Sequence, residues 1–265
     1  MNAVSDLRVV GELEPSAAGL RTVSVSEGYN RWASTYDDDP NPLLAREERY
    51  LLPLLFDLHG KDLHGKTVLD LACGTGRWLE RSISQGAAFA VGIDSSLAML
   101  HVATQKSAIR TRVAGANCES LPFPDATFDL AICSFALGHF QDLAPIVNEL
   151  ARVMKPEADV FVSDLHPEAH AHGWRVGFRY AGTPIHIQTQ PRTIEEIRQA
   201  FCSEAFECQS QDALWLGQPE RAIFDRAGKS SYFLEACSLP AVLFCHFRRA
   251  DLRRTHAKSG MELSR

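Results

Sequence analysis

The segment Thr67–Gly76, with the sequence TVLDLACGTG, constrains the fold of this chain more than any other stretch. Its first half is apolar and partly β-branched, which is typical of a strand buried on both faces of a sheet. Gly74 and Gly76 follow, and a helical pattern begins at Trp78. Glycine allows a sharp bend and lets a ligand approach the main chain without meeting a Cβ atom. The free N–H groups of the next helix face such a ligand, so the segment predicts a nucleotide-type site at the carboxyl edge of a parallel sheet.

The residues around this turn narrow the class of ligand. The dinucleotide fingerprint needs a third glycine where Leu79 stands, so an NAD site is disfavoured. A second carboxylate, Asp94, ends the next apolar run, and a carboxylate at a strand tip can accept both hydroxyl groups of a ribose. Sites for NAD and for S-adenosylmethionine (SAM) share that feature, so Asp94 alone does not choose between them.

Strand-like and helix-like runs alternate from Thr67 onward, which is the signature of a doubly wound α/β fold. The pattern predicts strands at 67–73, 88–94, 111–115, 128–134, 158–164, 207–215 and 241–248. It predicts helices at 76–86, 96–104, 142–153 and 193–204.

Three motifs in this order resemble those of the class I SAM-dependent methyltransferases. They are LDLACGTG at 69–76, VGIDSSLAML at 91–100 and ESLPFPDATFDLAICSFALGHF at 119–140. The chain is most similar to the small-molecule branch that includes the ubiquinone and menaquinone biosynthesis methyltransferases, and the similarity covers roughly residues 29–157. The resemblance implies a Rossmann-like, doubly wound, seven-stranded sheet with an antiparallel final hairpin, an N-terminal helical lid and inserted cap segments.

The resemblance also suggests how the chain is divided. We expect a mobile arm at 1–24, a methyltransferase domain at 25–250 and a C-terminal tail at 251–265. Within the domain we expect a lid at 25–60 and insertions at 166–190 and 217–240. Insertions at the carboxyl edge lie over the crevice, so both are expected to influence substrate choice.

The resemblance implies which residues surround SAM. Asp70 orients the glycine loop and the ammonium group of the methionine tail, Asp94 binds the ribose, and Met99 packs on the adenine. Asn117 stands where the family has an aspartate, and its amide oxygen can accept the adenine amino group without a charge. Alternative roles stay open for some of these residues. Asp94 can serve as a helix N-cap, and Met99 and the lid aromatics can simply pack in the core. The expected cofactor contacts are Tyr29, Tyr36, Asp70, Ala72, Gly74, Gly76, Asp94, Ser95, Met99, Asn117, Cys118, Ser134 and Phe135.

Two histidines are candidates for catalysis. Methyl transfer is an in-line displacement for which an enzyme supplies mainly proximity and alignment; a base is needed only when the acceptor must lose a proton. His166 follows the fifth predicted strand and is a candidate for that base, and His139 matches a frequent family histidine. A surface position for His166 and a structural role for His139 stay open. His166 also forms an HxxxHxH pattern with His170 and His172, but no cysteine or acid pattern completes a site, so we predict no metal.

Composition excludes several classes. The net charge of -6 argues against a general nucleic-acid binder, which would more commonly show a basic stripe. No apolar run approaches the ~20 residues of a membrane span, and no secretory signal pattern opens the chain. Seven cysteines without CxxC spacing fit reduced thiols in a cytoplasmic protein.

One basic cluster is interpreted as a solvated tail; it consists of Arg248, Arg249, Arg253, Arg254 and Lys258.

The resulting hypothesis is a cytoplasmic enzyme that uses SAM to methylate an O, N or C atom of a small organic acceptor. We expect that acceptor between the 166–190 insertion and the lid aromatics. Methylation of tRNA, rRNA or protein is the alternative, although the NPPY-type motif of nitrogen methylation is missing at 133–136. A non-catalytic SAM-binding protein and an NAD-dependent reductase are further alternatives. Whether the chain forms a homo-oligomer is also left open.

Overall fold

A seven-stranded sheet forms the centre of the computed structural model, which describes residues 21–38, 41–60 and 62–251. The strands are β1 (Arg21–Val23), β2 (Thr67–Leu71), β3 (Phe89–Asp94), β4 (Val113–Gly115), β5 (Phe128–Ser134), β6 (Met154–Leu165), β7 (Gly177–Tyr180), β8 (Thr183–Ile187), β9 (Phe206–Trp215) and β10 (Pro240–Arg249). The helices are α1 (Val25–Trp32), α2 (Pro42–His59), α3 (Arg77–Ser84), α4 (Leu97–Gln105), α5 (Ala144–Val153), α6 (Pro167–Ala171), α7 (Ile194–Ser203), α8 (Arg221–Arg226) and α9 (Phe233–Ala236).

The strand order of the large sheet is β4-β3-β2-β5-β6-β10-β9. β10 runs antiparallel to both β6 and β9, whereas the other neighbours are parallel. The predicted α/β fold with an antiparallel final hairpin is therefore confirmed. The main difference is in β6, which begins at Met154 rather than at 158.

The core lies on both faces of this sheet because successive side chains of a strand point to opposite faces. Leu69 and Leu71 of β2 join a buried cluster with residues of α5 and α7. Val68 joins a second cluster, on the other face, with residues of α2 and α3. A strand covered on both sides in this way explains why its sequence is an almost continuous apolar run.

The register of the parallel strands brings their carboxyl ends together. Leu71, the last residue of β2, is paired with Ile93 of β3 and with Cys133 of β5. The last residues of these strands, including Asp94 of β3 and Ser134 of β5, therefore lie at one edge of the sheet. A ligand site is expected at this edge in open α/β sheets.

The lid helix α1 and the first insertion form one layer beside that edge. β1 pairs parallel with β8, and β8 pairs antiparallel with β7. The ring of Trp32 in α1 stacks on Phe178, with 5.1 Å between centroids. At Gly28 a Cβ atom would lie 2.6 Å from Ile187, so α1 packs closely on β8.

The second insertion, expected at 217–240, packs elsewhere. Glu220 is buried and pairs with Arg49 of α2 at 2.7 Å, and Phe224 and Phe233 join the core cluster on that side. None of its residues lines the cavities described below. The expectation that this segment covers the crevice is therefore wrong.

The outer parts of the chain are only partly described. Residues 21–23, which the predicted arm includes, form β1 and so belong to the folded layer. Residues 1–20 and 252–265 lie outside the described residues, and with them Arg253, Arg254 and Lys258 of the basic cluster. Among the residues that the structure describes, no helix has the length and apolarity needed to cross a bilayer.

Candidate active site

A cavity of about 320 Å³ opens at the carboxyl edge of the sheet, between the tips of β2, β3 and β5 and the lid. This volume lies in the range of small-molecule sites. The predicted cofactor residues that line it are Tyr29, Tyr36, Asp70, Ala72, Gly74, Asp94, Ser95, Met99, Asn117, Cys118, Ser134 and Phe135. The sequence prediction therefore converges on one cavity, with Gly76 and His166 outside its lining.

The glycine turn after β2 is held open toward this cavity. Ala72 and Gly74 have positive φ angles of 56° and 55°. At Gly74, apart from the glycine and its two chain neighbours, no heavy atom of the described residues lies within 4 Å of the position that a Cβ atom would take. The Gly74 N–H donates to Asp94 Oδ2 at 2.8 Å, which fixes the turn against the tip of β3. The turn thus presents main chain, without side chains, to a ligand.

Two carboxylates organise the turn. Asp70 is buried and accepts the Leu79 N–H at 2.8 Å, which joins the tip of β2 to the first turn of α3. Burial raises the pKa of Asp70 to about 7. Asp94 accepts the N–H groups of Ser96 at 2.7 Å and Gly74 at 2.8 Å. Burial raises the pKa of Asp94, and these N–H donors oppose the rise.

The helix cap after β3 is Ser96 rather than Asp94. The Ser96 hydroxyl accepts the Met99 N–H at 3.3 Å and begins α4. Asp94 accepts the backbone N–H groups of Gly74, Ser95 and Ser96, and each carboxylate oxygen can accept more than one hydrogen bond. Asp94 therefore fits the hydroxyl groups of a ribose. With Met99 buried and lining the same cavity, the residues present fit SAM.

Gly76 serves packing within the protein instead of facing the cavity. Its φ is 84°, and a Cβ atom would lie 2.3 Å from Ile109 Cδ1. The two glycines of the turn thus have different surroundings, open space at Gly74 and a close contact at Gly76. Gly76 does not line the cavity, and its expected contact with the cofactor stays a prediction.

His166 does not reach the cavity. It is buried and caps α6, since its Nδ1 accepts the Glu168 N–H at 3.2 Å while its own N–H donates to Ala241 O at 3.0 Å. Burial lowers its pKa. The hypothesis that His166 is the base is therefore wrong in its geometry. In the described part of the chain, no group of three or more His, Cys, Asp or Glu side chains could hold a metal ion.

His139, the second candidate, lines the cavity. Its Nε2 lies 2.7 Å from the hydroxyl oxygen of Tyr29, and the two rings meet edge to face at 5.1 Å. Burial lowers the pKa of His139 to about 4. The imidazole is therefore uncharged at neutral pH.

A buried ionic network beside the cavity was not predicted. Glu47 of α2 is 1% exposed. It accepts hydrogen bonds from Arg77, from Ser163, from the Ser134 hydroxyl at 3.0 Å and from Trp78 Nε1 at 3.2 Å. The network joins α2 to the tip of β5. One signal could have revealed it: Glu47 falls on the stripe of Leu43, Leu51 and Leu55, where a buried carboxylate needs partners.

Two smaller spaces adjoin the main cavity. The side chamber, of about 50 Å³, lies between the lid and the first insertion. It is lined by Tyr29, Trp32, Tyr36, Asn41, Leu43, Leu44, Phe135, Leu165, Arg175, Val176 and Gly177. The outer cavity, of about 460 Å³, has a more polar lining. It is lined by Ser24, Val25, Ser26, Gly138, His139, Gln141, Gln188, Thr189 and Gln190.

The fold and the main cavity together define a class of protein. A sheet of this order, a glycine turn after its first parallel strand and a carboxylate at the next strand tip are the features of the class I methyltransferase fold. Residues 68–157 match the family model described as a methyltransferase domain. This part of the chain belongs to that domain family, whose class I members use SAM as cofactor.

Individual relatives agree with this assignment. A demethylmenaquinone methyltransferase of Bacillus licheniformis is 37% identical over 100 residues, which are 36% of this chain and 43% of the relative. A ubiquinone biosynthesis O-methyltransferase of Neisseria meningitidis is 34% identical over 119 residues, 42% of this chain and 50% of the relative. The chain thus spans about half the length of the curated relatives it matches.

A solved structure extends the likeness of the fold. The crystal structure of an SAM-dependent methyltransferase from Mesorhizobium loti has a TM-score of 0.55 to this chain at 21% identity. The alignment covers 71% of this chain and 93% of that structure. The shared fold therefore extends beyond the matched domain.

Proposed function

We propose that this chain transfers the methyl group of SAM to a small organic acceptor and releases S-adenosylhomocysteine. The sulfonium of SAM supplies an activated methyl group, so the protein mainly aligns the two reactants. In this proposal the Gly74 turn and Asp70 hold the methionine tail, Asp94 binds the ribose, and Met99 packs on the adenine. The carboxylate Asp94 gives charge-assisted hydrogen bonds to the ribose hydroxyl groups.

The observation that carries the acceptor side of the proposal is the side chamber. It shares Tyr29, Tyr36, Leu44 and Phe135 with the main cavity, so a group placed there borders the cofactor site. Its walls are mostly aromatic and aliphatic, which suits an apolar or planar ligand. At about 50 Å³ it has room for the reacting end of a molecule. The names of the curated relatives, quinone-biosynthesis methyltransferases, also support a small acceptor.

Filling the side chamber tests this assignment. Val176 lines the chamber but not the main cavity, so Val176→Trp should block the acceptor and leave the cofactor site intact. Leu234→Trp is the matched control, because Leu234 is 75% exposed on α9. Transfer of radiolabelled methyl from SAM to a panel of phenols and naphthols is measured alongside S-adenosylhomocysteine binding.

We expect Val176→Trp to lose turnover and keep S-adenosylhomocysteine affinity, while Leu234→Trp keeps both. Unchanged turnover in Val176→Trp would contradict the position of the acceptor. Absence of S-adenosylhomocysteine binding by the wild-type protein would contradict the proposed function itself.

A further inference from the structure

Among the described residues that line the side chamber, Arg175 is the only one with a charged side chain. It lies in the first insertion, between α6 and β7, and does not line the main cavity. The guanidinium of arginine keeps its charge in proteins. The side chamber therefore combines apolar walls with one positive charge, and no carboxylate belongs to its described lining.

The main chain fixes this guanidinium through one of its nitrogens. Nη1 of Arg175 donates to the carbonyl oxygens of His170 and Trp174, each at 2.7 Å. His170 belongs to α6 and Trp174 is 1% exposed, so both carbonyl groups lie in packed segments. Neither Nε nor Nη2 of Arg175 donates to a described residue, and no described carboxylate pairs with the side chain. The guanidinium is thus held in place without being neutralised.

The edge formed by Nε and Nη2 has the geometry that binds a carboxylate. These two nitrogens can donate side by side to the two oxygens of one carboxylate. The chain uses this edge in that way at two other places. Arg152 donates through Nε and Nη2 to Glu149 at 2.8 and 2.7 Å, and Arg198 does the same to Glu195 at 2.9 and 2.6 Å. At Arg175 the same edge is left for a ligand.

We propose that the acceptor is an aromatic carboxylic acid, whose carboxylate pairs with Nε and Nη2 of Arg175 in the side chamber. This inference rests on the proposed methyl transfer and names its class of acceptor. The aromatic body of the acid lies against the rings of Tyr29, Trp32 and Phe135, which line the chamber. Tyr29 and Phe135 also line the main cavity, so the end of the acid away from its carboxylate borders the cofactor site.

The contacts of Arg175 make the charge of the acceptor decisive. A carboxylate gives two charge-assisted hydrogen bonds to the guanidinium edge. A neutral ligand of the same shape covers that edge and leaves donors without a matching acceptor, which costs free energy. We therefore expect the chamber to prefer an acid over its neutral amide by at least about 10-fold in affinity.

Benzoate and benzamide test this preference, because they have nearly the same shape and differ in charge. Ligand-observed NMR titrations are made on the full chain, with and without S-adenosylhomocysteine. We expect benzoate to bind at least about 10-fold more tightly than benzamide. Equal affinities, or no benzoate binding in the millimolar range, would overturn the inference. Absence of S-adenosylhomocysteine binding would instead contradict the proposed function, so the two failures are distinguishable.

Variants of the insertion locate the benzoate. Arg175→Gln should remove the preference for benzoate over benzamide, and Arg175→Lys should weaken it, because an ammonium keeps the charge but lacks the paired donors. Arg179→Gln is the matched control, since Arg179 is exposed on β7 and lines neither the side chamber nor the main cavity. Val176→Trp should block benzoate.

Thermal unfolding and S-adenosylhomocysteine affinity verify that each of these variants is folded. A preference for benzoate that survives in Arg175→Gln, or that is lost equally in Arg179→Gln, would overturn the role of Arg175. Benzoate binding that persists in Val176→Trp would overturn the position of the acid in the side chamber. The comparison of benzoate with benzamide on the wild-type chain stays decisive even if one variant does not fold.

Discussion

The buried pair Glu47–Arg77 allows the most specific prediction on stability. Glu47 is 1% exposed and receives four hydrogen-bond donors, one of them the guanidinium of Arg77. Glu47→Ala leaves that guanidinium, whose side chain is 24% exposed, without its main partner. Breaking a buried pair costs 3–5 kcal/mol, and the partial exposure of Arg77 favours the lower end, about 3 kcal/mol.

The neighbouring residue supplies the matched control. Glu48 also faces Arg77, at 3.5 Å, and pairs with Arg81 at 2.6 Å, but its side chain is 22% exposed and that of Arg81 is 49% exposed. Exposed pairs contribute about 0–1 kcal/mol. Glu48→Ala should therefore change stability by less than about 1 kcal/mol.

Thermal unfolding followed by circular dichroism measures both variants. At about 2–4 °C per kcal/mol for a chain of this size, Glu47→Ala should lower the Tm by roughly 6–12 °C. Because Glu47 also holds Ser134 at the cavity, S-adenosylhomocysteine should raise the Tm of this variant less than that of the wild type. Equal Tm values for Glu47→Ala and Glu48→Ala would refute the reasoning.

Three further predictions concern the turn and its carboxylates. Gly76→Ala should lower the free energy of unfolding by at least about 1 kcal/mol, because residue 76 has a positive φ and a Cβ atom there would meet Ile109. Urea titration measures this change, and a neutral effect would contradict the packing role. Asp94→Ala should weaken S-adenosylhomocysteine binding about 100-fold by losing two charge-assisted bonds, whereas Asn117→Asp should be neutral or mildly strengthening, both measured by calorimetry. For Asp70, the pKa rises from 3.8 to about 7 in the folded state, so ionisation destabilises the fold and stability falls between about pH 4 and 7. Asp70→Asn should flatten that part of the stability–pH curve, and an unchanged slope would contradict the assignment.

Much of the cofactor site could be predicted because its residues follow strand tips. The run at Thr67–Leu71 and the carboxylate Asp94 are local signals, and the register of a parallel sheet brings their ends together. Gly76 is the predicted contact that does not line the cavity, since sequence alone does not reveal that a Cβ atom there would meet Ile109.

Long-range contacts limited the rest of the prediction. His166 follows a strand tip, as its place in the predicted strand order led us to expect, but the start of α6 uses its ring as a cap. The network of Glu47 joins residues from α2, α3, β5 and β6, so no single stretch encodes it. The Tyr29–His139 bond spans 110 positions and depends on how the lid docks.

The central claim is that this cavity is a SAM site, and isothermal titration calorimetry tests it most directly. S-Adenosylhomocysteine and NAD are titrated separately into the full chain, with Asp94→Ala as the matched variant. We predict that S-adenosylhomocysteine binds at one site per chain, that Asp94→Ala weakens this binding, and that NAD gives no binding heat. Binding of NAD without binding of S-adenosylhomocysteine would contradict the account.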